Sequence, residues 1–358
     1  MSELLSVRAG AKALARLRAH GLDPAEVALI PAAAGGPKGL VLIPLDRAIF
    51  GGWLSRAPRK RWLVGASIGA WRMAAACLPE PADALRRLAL LHSETQNYRG
   101  KPTPAEVSAV CAQIMQDLFA GQAGALLANP DYRLAVLTVR GRGLLAREHR
   151  ASGLAWALAA AANTAGRRHL ARFLERGVFA TQTQGLPFFQ SRFDAFSNRV
   201  CRLTPENLPR ALLASAAIPL LLEGVNDPPG SPHGTYWDGG IIDYHLALPY
   251  AQVDGLVLYP HFADHITPGW LDKFFHTRRA RGAELANVIL LSPSREFIAR
   301  LPGGKLPDRS DFKRFGTDHA ARIEVWRRAI AESERLAEAF LRWCEAPDLA
   351  RVRGFDAP

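Results

Sequence analysis

The chain has 358 residues, with 45 lysines and arginines against 33 aspartates and glutamates and a formal net charge of +12. Hydrophobic residues make up 49% and charged residues 22%, which is typical of a globular protein and excludes intrinsic disorder, collagen and coiled coil. The longest nearly uninterrupted apolar stretch, residues 153–162, is far shorter than the roughly 20 residues of a membrane-spanning helix. These properties predict a globular protein that does not cross a bilayer.

The chain is predicted to have three segments. In the first, residues 1–24, Leu14 and Leu17 alternate with Lys12 and Arg16, which predicts a basic amphipathic helix. This segment lacks the continuous apolar region of a secretory signal, and this favours a cytoplasmic location. The main domain is predicted over residues 25–300, and a C-terminal loop and helix, residues 301–358, are expected to pack on it.

Strands and helices are predicted to alternate at the start of the main domain. A buried strand over residues 26–33 is followed by a helix over 39–50, a second strand over 61–66 and a second helix over 68–78. This order is typical of βαβ units and predicts a three-layer α/β/α fold with a mainly parallel central sheet. The remaining predicted strands cover residues 132–140, 177–181, 235–237, 255–259 and 287–291, and the remaining helices cover 82–96, 104–127 and 318–343.

The cysteines and histidines show no metal-binding pattern. The four cysteines lie far apart with no C-x-x-C pair, and the ten histidines supply no H-x-x-x-H or H-E-x-x-H run. We therefore predict unpaired thiols and no bound metal.

The sharpest local motif is GASIG at residues 65–69, which is G-x-S-x-G between a predicted strand and a predicted helix. In a nucleophile elbow the serine occupies a strained strand-to-helix turn, and the glycines on either side give its backbone clearance. Ser67 is therefore a candidate nucleophile, with Gly65 and Gly69 as the flanking glycines. The alternative is a glycine-tolerant turn in which the serine only caps the helix.

A glycine-rich loop, AGGPKG at residues 34–39, also lies between a strand and a helix. Gly35 and Gly36 can donate backbone N–H groups to an oxyanion, whereas Pro37 cannot, and Lys38 adds a positive charge before Gly39. A phosphate cradle for a nucleotide is the rival interpretation. It fits poorly, because a Walker loop requires Ser or Thr directly after the lysine.

A third motif, Asp238-Gly239-Gly240, lies downstream of the segment ASAAIP at residues 214–219. The three motifs in this order resemble the patatin-like phospholipase family, over roughly residues 27–249. The resemblance implies the three-layer fold, a lipid acyl hydrolase that needs no cofactor, and a catalytic dyad. It implies that Ser67 is the nucleophile, that Asp238 is the base, and that the glycine loop supplies the oxyanion hole.

The chain departs from the family pattern in two places. Ala34 stands where the family has the first glycine of its loop, and Lys38 stands where it has arginine. The family's Asn-x-Pro after the aspartate is also missing, because the chain has DYHLALP at residues 243–249. Asp243 is therefore a second carboxylate near Asp238.

Two other functions are also compatible with these motifs. One is a Ser-Asp-His triad on an α/β-hydrolase fold, since His245, His261 and His265 all follow Asp238. The other is a catalytically silent patatin-like fold that binds an acyl ligand or a partner protein, which the altered glycine loop suggests. A carboxylate base needs partial desolvation, and Tyr236, Trp237 and Ile241 are the expected apolar wall around Asp238.

Two stretches are predicted at the entrance of an acyl pocket, residues 185–189 and residues 270–279. The second mixes aromatic and basic residues, which suits an interfacial helix on an anionic membrane surface, or an ordinary amphipathic helix with a basic face. The expected partner is a lipid or acyl-ester substrate. The scattered basic residues match no nucleic-acid-binding pattern, so nucleic acid is not expected. The ester class and the oligomeric state are left open.

Overall fold

The computed structural model describes residues 4–355 of the chain. Ten strands form one sheet, and their bounds are β1 Leu5–Ala9, β2 Val27–Ala32, β3 Arg61–Ala66, β4 Tyr132–Gly141, β5 Leu174–Ala180, β6 Asn198–Arg202, β7 Val225–Asn226, β8 Thr235–Asp238, β9 Leu256–Pro260 and β10 Val288–Pro293.

Thirteen α-helices accompany the sheet within the described residues. Their bounds are α1 Ala11–His20, α2 Ile43–Ala48, α3 Ile68–Ala76, α4 Pro81–Glu94, α5 Pro104–Phe119, α6 Ala123–Leu127, α7 Ser152–Ala165, α8 Pro187–Gln190, α9 Leu208–Ala216, α10 Arg295–Arg300, α11 Ser310–Phe315, α12 His319–Glu332 and α13 Glu334–Glu345. Among residues 4–355, no helix combines the length and the hydrophobicity that a membrane crossing requires.

The strand order is β1-β10-β9-β2-β3-β4-β5-β6, and β8 pairs with both β4 and β7. Five of the nine pairings are parallel, and they include the whole central run from β10 to β4. One face of the sheet packs mainly on helices α1 to α5 and α9, and the other packs on α7, α8, α10 and the irregular chain between β8 and β10. The predicted three-layer α/β fold with a mainly parallel sheet is confirmed.

Strand β4 determines where distant parts of the chain meet. Its first half pairs in parallel with β3, and its second half pairs antiparallel with β5 and β8. Asp238, at the end of β8, consequently lies opposite Thr138 of β4. The carboxyl end of β3 and the last residue of β8 are thereby brought to the same region of the sheet.

The N-terminal helix predicted over residues 1–24 is shorter in the structure, and its first three residues lie outside the described part. Leu5–Ala9 is a strand that pairs antiparallel with β10, with Val7 and Ala9 buried, and the helix covers only Ala11–His20. Gly10 permits this change, because a Cβ there would lie 2.0 Å from the Leu285 carbonyl oxygen. Pairing with β10 and burial of Val7 and Ala9 prevail over the helical pattern of the sequence.

Two helices predicted as continuous are interrupted. The C-terminal helix over 318–343 is two helices, since the Ser333 hydroxyl donates to the Ala329 carbonyl (2.7 Å) and a new helix begins after it. The helix over 104–127 ends at Phe119, where Gly121 adopts a φ of 71° before α6. The capping box at the start of α5, formed by Thr103 and Glu106, agrees with the predicted helix start.

Candidate active site

Ser67 lies in the turn between β3 and α3, with a φ of 56° that is unusual for a residue other than glycine. A Cβ at Gly65 would lie 2.6 Å from the Ala70 nitrogen, and one at Gly69 would lie 2.0 Å from the Ala32 carbonyl oxygen. Both glycines are thus required for the close packing of α3 against β2 and β3. The serine is buried but borders a cavity, at the N-terminal end of the helix.

The Ser67 hydroxyl donates a hydrogen bond of 2.8 Å directly to Oδ2 of Asp238. The other carboxylate oxygen, Oδ1, accepts the backbone N–H of Gly240 at 2.7 Å. Burial raises the pKa of Asp238 to about 6, although the charge of Arg309 and the two hydrogen bonds act in the opposite direction. The carboxyl group is therefore held in one orientation, and its pKa is closer to neutral pH than that of an exposed aspartate.

Ser215 connects the serine turn to the sheet. Its hydroxyl accepts the backbone N–H of Ser67 (2.9 Å) and donates to the Leu137 carbonyl of β4 (2.6 Å). Gly239 allows the neighbouring approach of β8, because a Cβ there would lie 2.2 Å from the same Leu137 oxygen. Ser215 is in the motif at 214–219, but its bracing role depends on contacts that no spacing reveals.

The glycine loop follows β2 and lies beside Ser67 and Asp238. Within residues 4–355, the amides of Gly35 and Gly36 make no hydrogen bond to the protein, so both are free to donate to a ligand. Gly35 lies against the Phe262 ring, and Gly36 has a φ of 56°. Gly39 packs on Ile68, where a Cβ would lie 3.0 Å from the Ile68 side chain.

Two cavities meet at this pair. The first, of about 480 Å³, borders Gly35 and Asp238, and the second, of about 650 Å³, borders Gly36 and Ser67. The second cavity has apolar walls from helices α3 and α5 and from the chain after α9, including Ile68, Trp71, Val107, Cys111 and Leu222. The site therefore offers two adjoining spaces, one bordering Asp238 and the other bordering Ser67.

Three cations face the first cavity. Lys38 lies with Nζ 5.5 Å from the centre of the Phe262 ring, and Lys273 lies 4.5 Å from the Trp270 ring. Arg309 borders both cavities and faces Gly36. Burial, together with the charges of Lys38 and Arg309, lowers the pKa of Lys273 to about 8.

Of these cations, the sequence motifs contain only Lys38. Arg309 follows β10 and belongs to no motif, and Lys273 belongs only to the predicted entrance stretch 270–279. No local signal could have identified Arg309, because only the folded chain brings the segment before α11 to Ser67.

The other candidate residues lie elsewhere. Asp243 accepts two hydrogen bonds from Arg176 (2.6 and 2.8 Å) in a buried ion pair. Nδ1 of His245 accepts the backbone N–H of Thr267, and Nδ1 of His261 accepts that of Ala263. Within residues 4–355, no histidine hydrogen-bonds to Ser67 or Asp238. The geometry gives the triad alternative no support.

Of the two predicted entrance stretches, the structure brings only one to the cavities. Phe188 and Phe189 of residues 185–189 are buried in the core, and none of the described residues lining the cavities comes from this stretch. Trp270, Leu271 and Lys273 do line the first cavity. Instead of one interfacial helix, residues 270–279 contain two separate 3-10 turns.

The fold and the site define an α/β protein with a buried serine–aspartate pair where the parallel strands end. Human GIVD cytosolic phospholipase A2 is similar at 13% identity, over 95% of this chain and 63% of its own, with a TM-score of 0.39. VipD from Legionella pneumophila is similar at 11% identity, over 67% of this chain and 50% of its own, with a TM-score of 0.28. This chain thus spans less than two thirds of either structure. No protein-family model and no curated protein sequence matches it.

Proposed function

We propose that the chain is a serine acyl hydrolase that cleaves carboxylic ester bonds of lipids, with Ser67 as nucleophile and Asp238 as base. The observation that carries this proposal is the direct hydrogen bond of 2.8 Å from the Ser67 hydroxyl to Asp238, made on a positive-φ turn between two cavities. The motif resemblance to patatin-like phospholipases supports the same chemistry. A cytoplasmic location remains a prediction.

In the first half of the reaction, Oγ of Ser67 attacks the ester carbonyl carbon while its proton passes to Oδ2 of Asp238. The carbonyl oxygen becomes an oxyanion, to which the free amides of Gly35 and Gly36 donate. Collapse of the tetrahedral intermediate breaks the ester C–O bond. The departing alkoxide takes the proton from Asp238, and the acyl group remains on Ser67.

In the second half, water attacks the acyl carbon and gives its proton to Asp238. Collapse of the second tetrahedral intermediate releases the carboxylic acid and returns the proton to Ser67. The hydrogen bond from the Gly240 amide holds Oδ1, so that Oδ2 faces the serine in both halves. This single carboxylate can act in both directions because its pKa is raised to about 6.

The two cavities suit the two halves of an ester. The apolar wall of the second cavity, with Trp71, Val107 and Leu222, is suited to an acyl chain. The first cavity, with Lys38, Lys273 and Arg309, is suited to a polar or anionic leaving group. Since both cavities border the dyad, an ester bond can reach Ser67 with each part in its own space.

Labelling with a fluorophosphonate tests the proposal, with mass spectrometry to locate the adduct. We expect covalent modification confined to Ser67, its loss in Ser67→Ala, and retention in Ser55→Ala, which changes an exposed serine. Folded protein that takes up no label would overturn the proposal in favour of a silent acyl-binding fold.

The two aspartates provide a second arm of this test. Asp238→Asn should lower kcat/KM for an ester by about 10²-fold or more, because it removes the base. Asp243→Asn should instead lower the melting temperature, because it leaves the buried Arg176 with a weaker partner. Comparable losses of kcat/KM per folded molecule in both variants would contradict the assignment of Asp238.

A further inference from the structure

Helix α7, Ser152–Ala165, presents an apolar face to solvent. It contains no charged residue, and its buried face consists of Ser152, Ala155, Trp156, Ala159 and Asn163. On the opposite face Leu154 is 66% exposed and Leu158 is 46% exposed, and the residues between and after them are mainly alanines. A surface helix of a globular protein ordinarily directs polar and charged side chains outward. This face requires an explanation other than core packing.

Neighbouring segments extend the apolar surface. Leu220 packs near Gly153 of α7, and the turns Gly143–Leu145 and Trp270–Asp272 pack against the same helix. Phe274, just beyond that turn, is 85% exposed. We call this surface the α7 platform, and its exposed side chains are Leu144, Leu154, Leu158, Leu220, Trp270 and Phe274.

The position of Phe274 and Trp270 is determined by a buried carboxylate. Asp272 accepts hydrogen bonds from Asn163 of α7 (3.0 Å), Arg167 (3.1 Å) and Arg278 (2.8 Å). These bonds attach the loop to the C-terminal end of α7. Asp272 thus fixes the turn that lies between Trp270 and Phe274.

The platform is continuous with the mouth of the first cavity. Gly153, Trp156, Ala157 and Ala160 of α7 line that cavity, together with Leu220 and Trp270. A lipid held at the platform would therefore lie next to the mouth of the first cavity. Large exposed apolar patches on globular proteins mark interaction sites, and this one adjoins the proposed reaction centre.

Cations surround the platform. Arg150 precedes α7, Arg168 follows it and Arg142 adjoins Leu144, and all three are exposed with no ion pair among residues 4–355. Lys273 lies between Trp270 and Phe274 in the chain, at the mouth of the first cavity, with part of its side chain exposed. Of the nearby carboxylates, Asp272 is buried in its hydrogen bonds and Asp227 pairs with Arg147, whereas Glu148 and Glu223 are exposed and Glu148 accepts the backbone N–H of Gly224.

We infer that the α7 platform docks on the surface of an anionic lipid bilayer. Leucine and phenylalanine side chains would enter the region between headgroups and acyl chains, where tryptophan is also favoured, and the arginines and Lys273 would contact anionic headgroups. The platform thus combines apolar side chains that suit the acyl region with neighbouring cations that suit anionic headgroups. The docking does not require chemistry at Ser67, but its role of delivering substrate to the first cavity rests on the proposed function.

Flotation with lipid vesicles tests the inference, using the Ser67→Ala protein so that hydrolysis cannot alter the vesicles. We expect it to float with vesicles of phosphatidylcholine and phosphatidylglycerol, and more weakly with phosphatidylcholine alone. Leu154→Glu/Leu158→Glu should weaken partitioning on the order of tenfold or more, because two leucines that would enter the bilayer are lost and two negative charges face the anionic lipid. Phe274→Ser should also weaken partitioning, because it removes an exposed aromatic side chain of the platform.

Leu90→Glu is the matched control, because Leu90 is an exposed leucine on α4, outside the platform. It should leave partitioning unchanged, and unchanged thermal melting of all variants would show that they are folded. Absence of flotation with the mixed vesicles, or equal flotation of the platform variants and the control, overturns the inference. It is also overturned if light scattering finds a dimer that the Leu154→Glu/Leu158→Glu variant separates, since a second copy would then cover the platform. Failed labelling of Ser67 with normal flotation would refute only the proposed chemistry.

Discussion

The carboxylate of Asp238 is buried but lies within the electric field of the Arg309 guanidinium. Burial raises its pKa, and the positive charge of Arg309 is the largest of the effects that lower it. The resulting pKa of about 6 is suited to a base that accepts a proton and returns it near neutral pH. Arg309 thus influences the proposed chemistry without a hydrogen bond to the carboxylate.

This arrangement predicts the pH dependence of activity. Asp238 must be ionised to accept the serine proton, so kcat/KM should fall as the pH is lowered through about 6. Arg309→Gln removes the charge that favours the ionised form, which raises the pKa of Asp238 further. The midpoint of the pH profile of kcat/KM for a soluble ester should therefore move to higher pH.

Two comparisons make this experiment decisive. Arg309→Lys retains the charge and should keep the midpoint near that of the unchanged protein, while Arg314→Gln removes an exposed arginine of α11 and should have no effect. A midpoint unmoved in Arg309→Gln would show that Arg309 does not act on the catalytic base.

At the level of elements, the serine turn depends on how closely α3 approaches β2. A Cβ at Gly69 would lie 2.0 Å from the Ala32 carbonyl oxygen, and rigid backbone on both sides cannot move away cheaply. Gly69→Ala should lower the free energy of unfolding by about 3 kcal/mol or more. Gly52→Ala is the control, since nothing lies within 4 Å of a Cβ there. Urea denaturation of both variants checks this, and equal stability would contradict the packing argument.

Elements with strong local signals could be predicted from the sequence. Strand β3 was predicted with its observed bounds, residues 61–66, because a short apolar run ends at a glycine-containing turn. The missed strands are those whose pairing depends on the rest of the fold. β1 and β6 are edge strands with polar residues, and β7 has only two residues. The strands that they pair with are separate segments of the chain, so no local sequence pattern reveals the pairing.

The residues of the candidate site also fall into two groups, those that the sequence identifies and those that only the folded structure reveals. Ser67, Asp238 and the loop glycines were identified because a tight turn or a close backbone approach demands particular residues at fixed spacing. Their roles in catalysis stay predictions. Ser215 and Arg309 depend on tertiary contacts, with Leu137 and Gly36 respectively, and side chains with such roles have no sequence signature.

The whole molecule assembles the site from segments spread over most of the chain. Ser67 comes from the first βαβ unit, Asp238 from a strand that follows the central helices, and Arg309 from the segment between β10 and α11. The C-terminal part, predicted only to pack on the domain, supplies Arg309 and Phe312 to cavity walls. The helices after β10 therefore contribute to the site as well as to the core.

The segment that carries Arg309 is anchored to the C-terminal helices through Asp311. This buried carboxylate accepts the indole N–H of Trp326 in α12 (3.0 Å) and the backbone N–H of Asp308 (3.0 Å), and it pairs with Lys305 (2.8 Å). Trp326→Phe keeps the aromatic packing but leaves the carboxylate without one donor. The cost to the free energy of unfolding should be about 2 kcal/mol.

If this anchor holds Arg309 beside Asp238, Trp326→Phe should have a second effect far from the substitution. Loosening of the segment before α11 would weaken the field of Arg309 at Asp238, so the pH midpoint of kcat/KM should move upward, as in Arg309→Gln, although Arg309 is still present. Trp343→Phe on α13 is the matched control, because its indole makes no hydrogen bond within residues 4–355, and it should leave the midpoint unchanged. A lower melting temperature in Trp326→Phe with an unshifted midpoint would mean that Asp311 stabilises the fold without positioning Arg309.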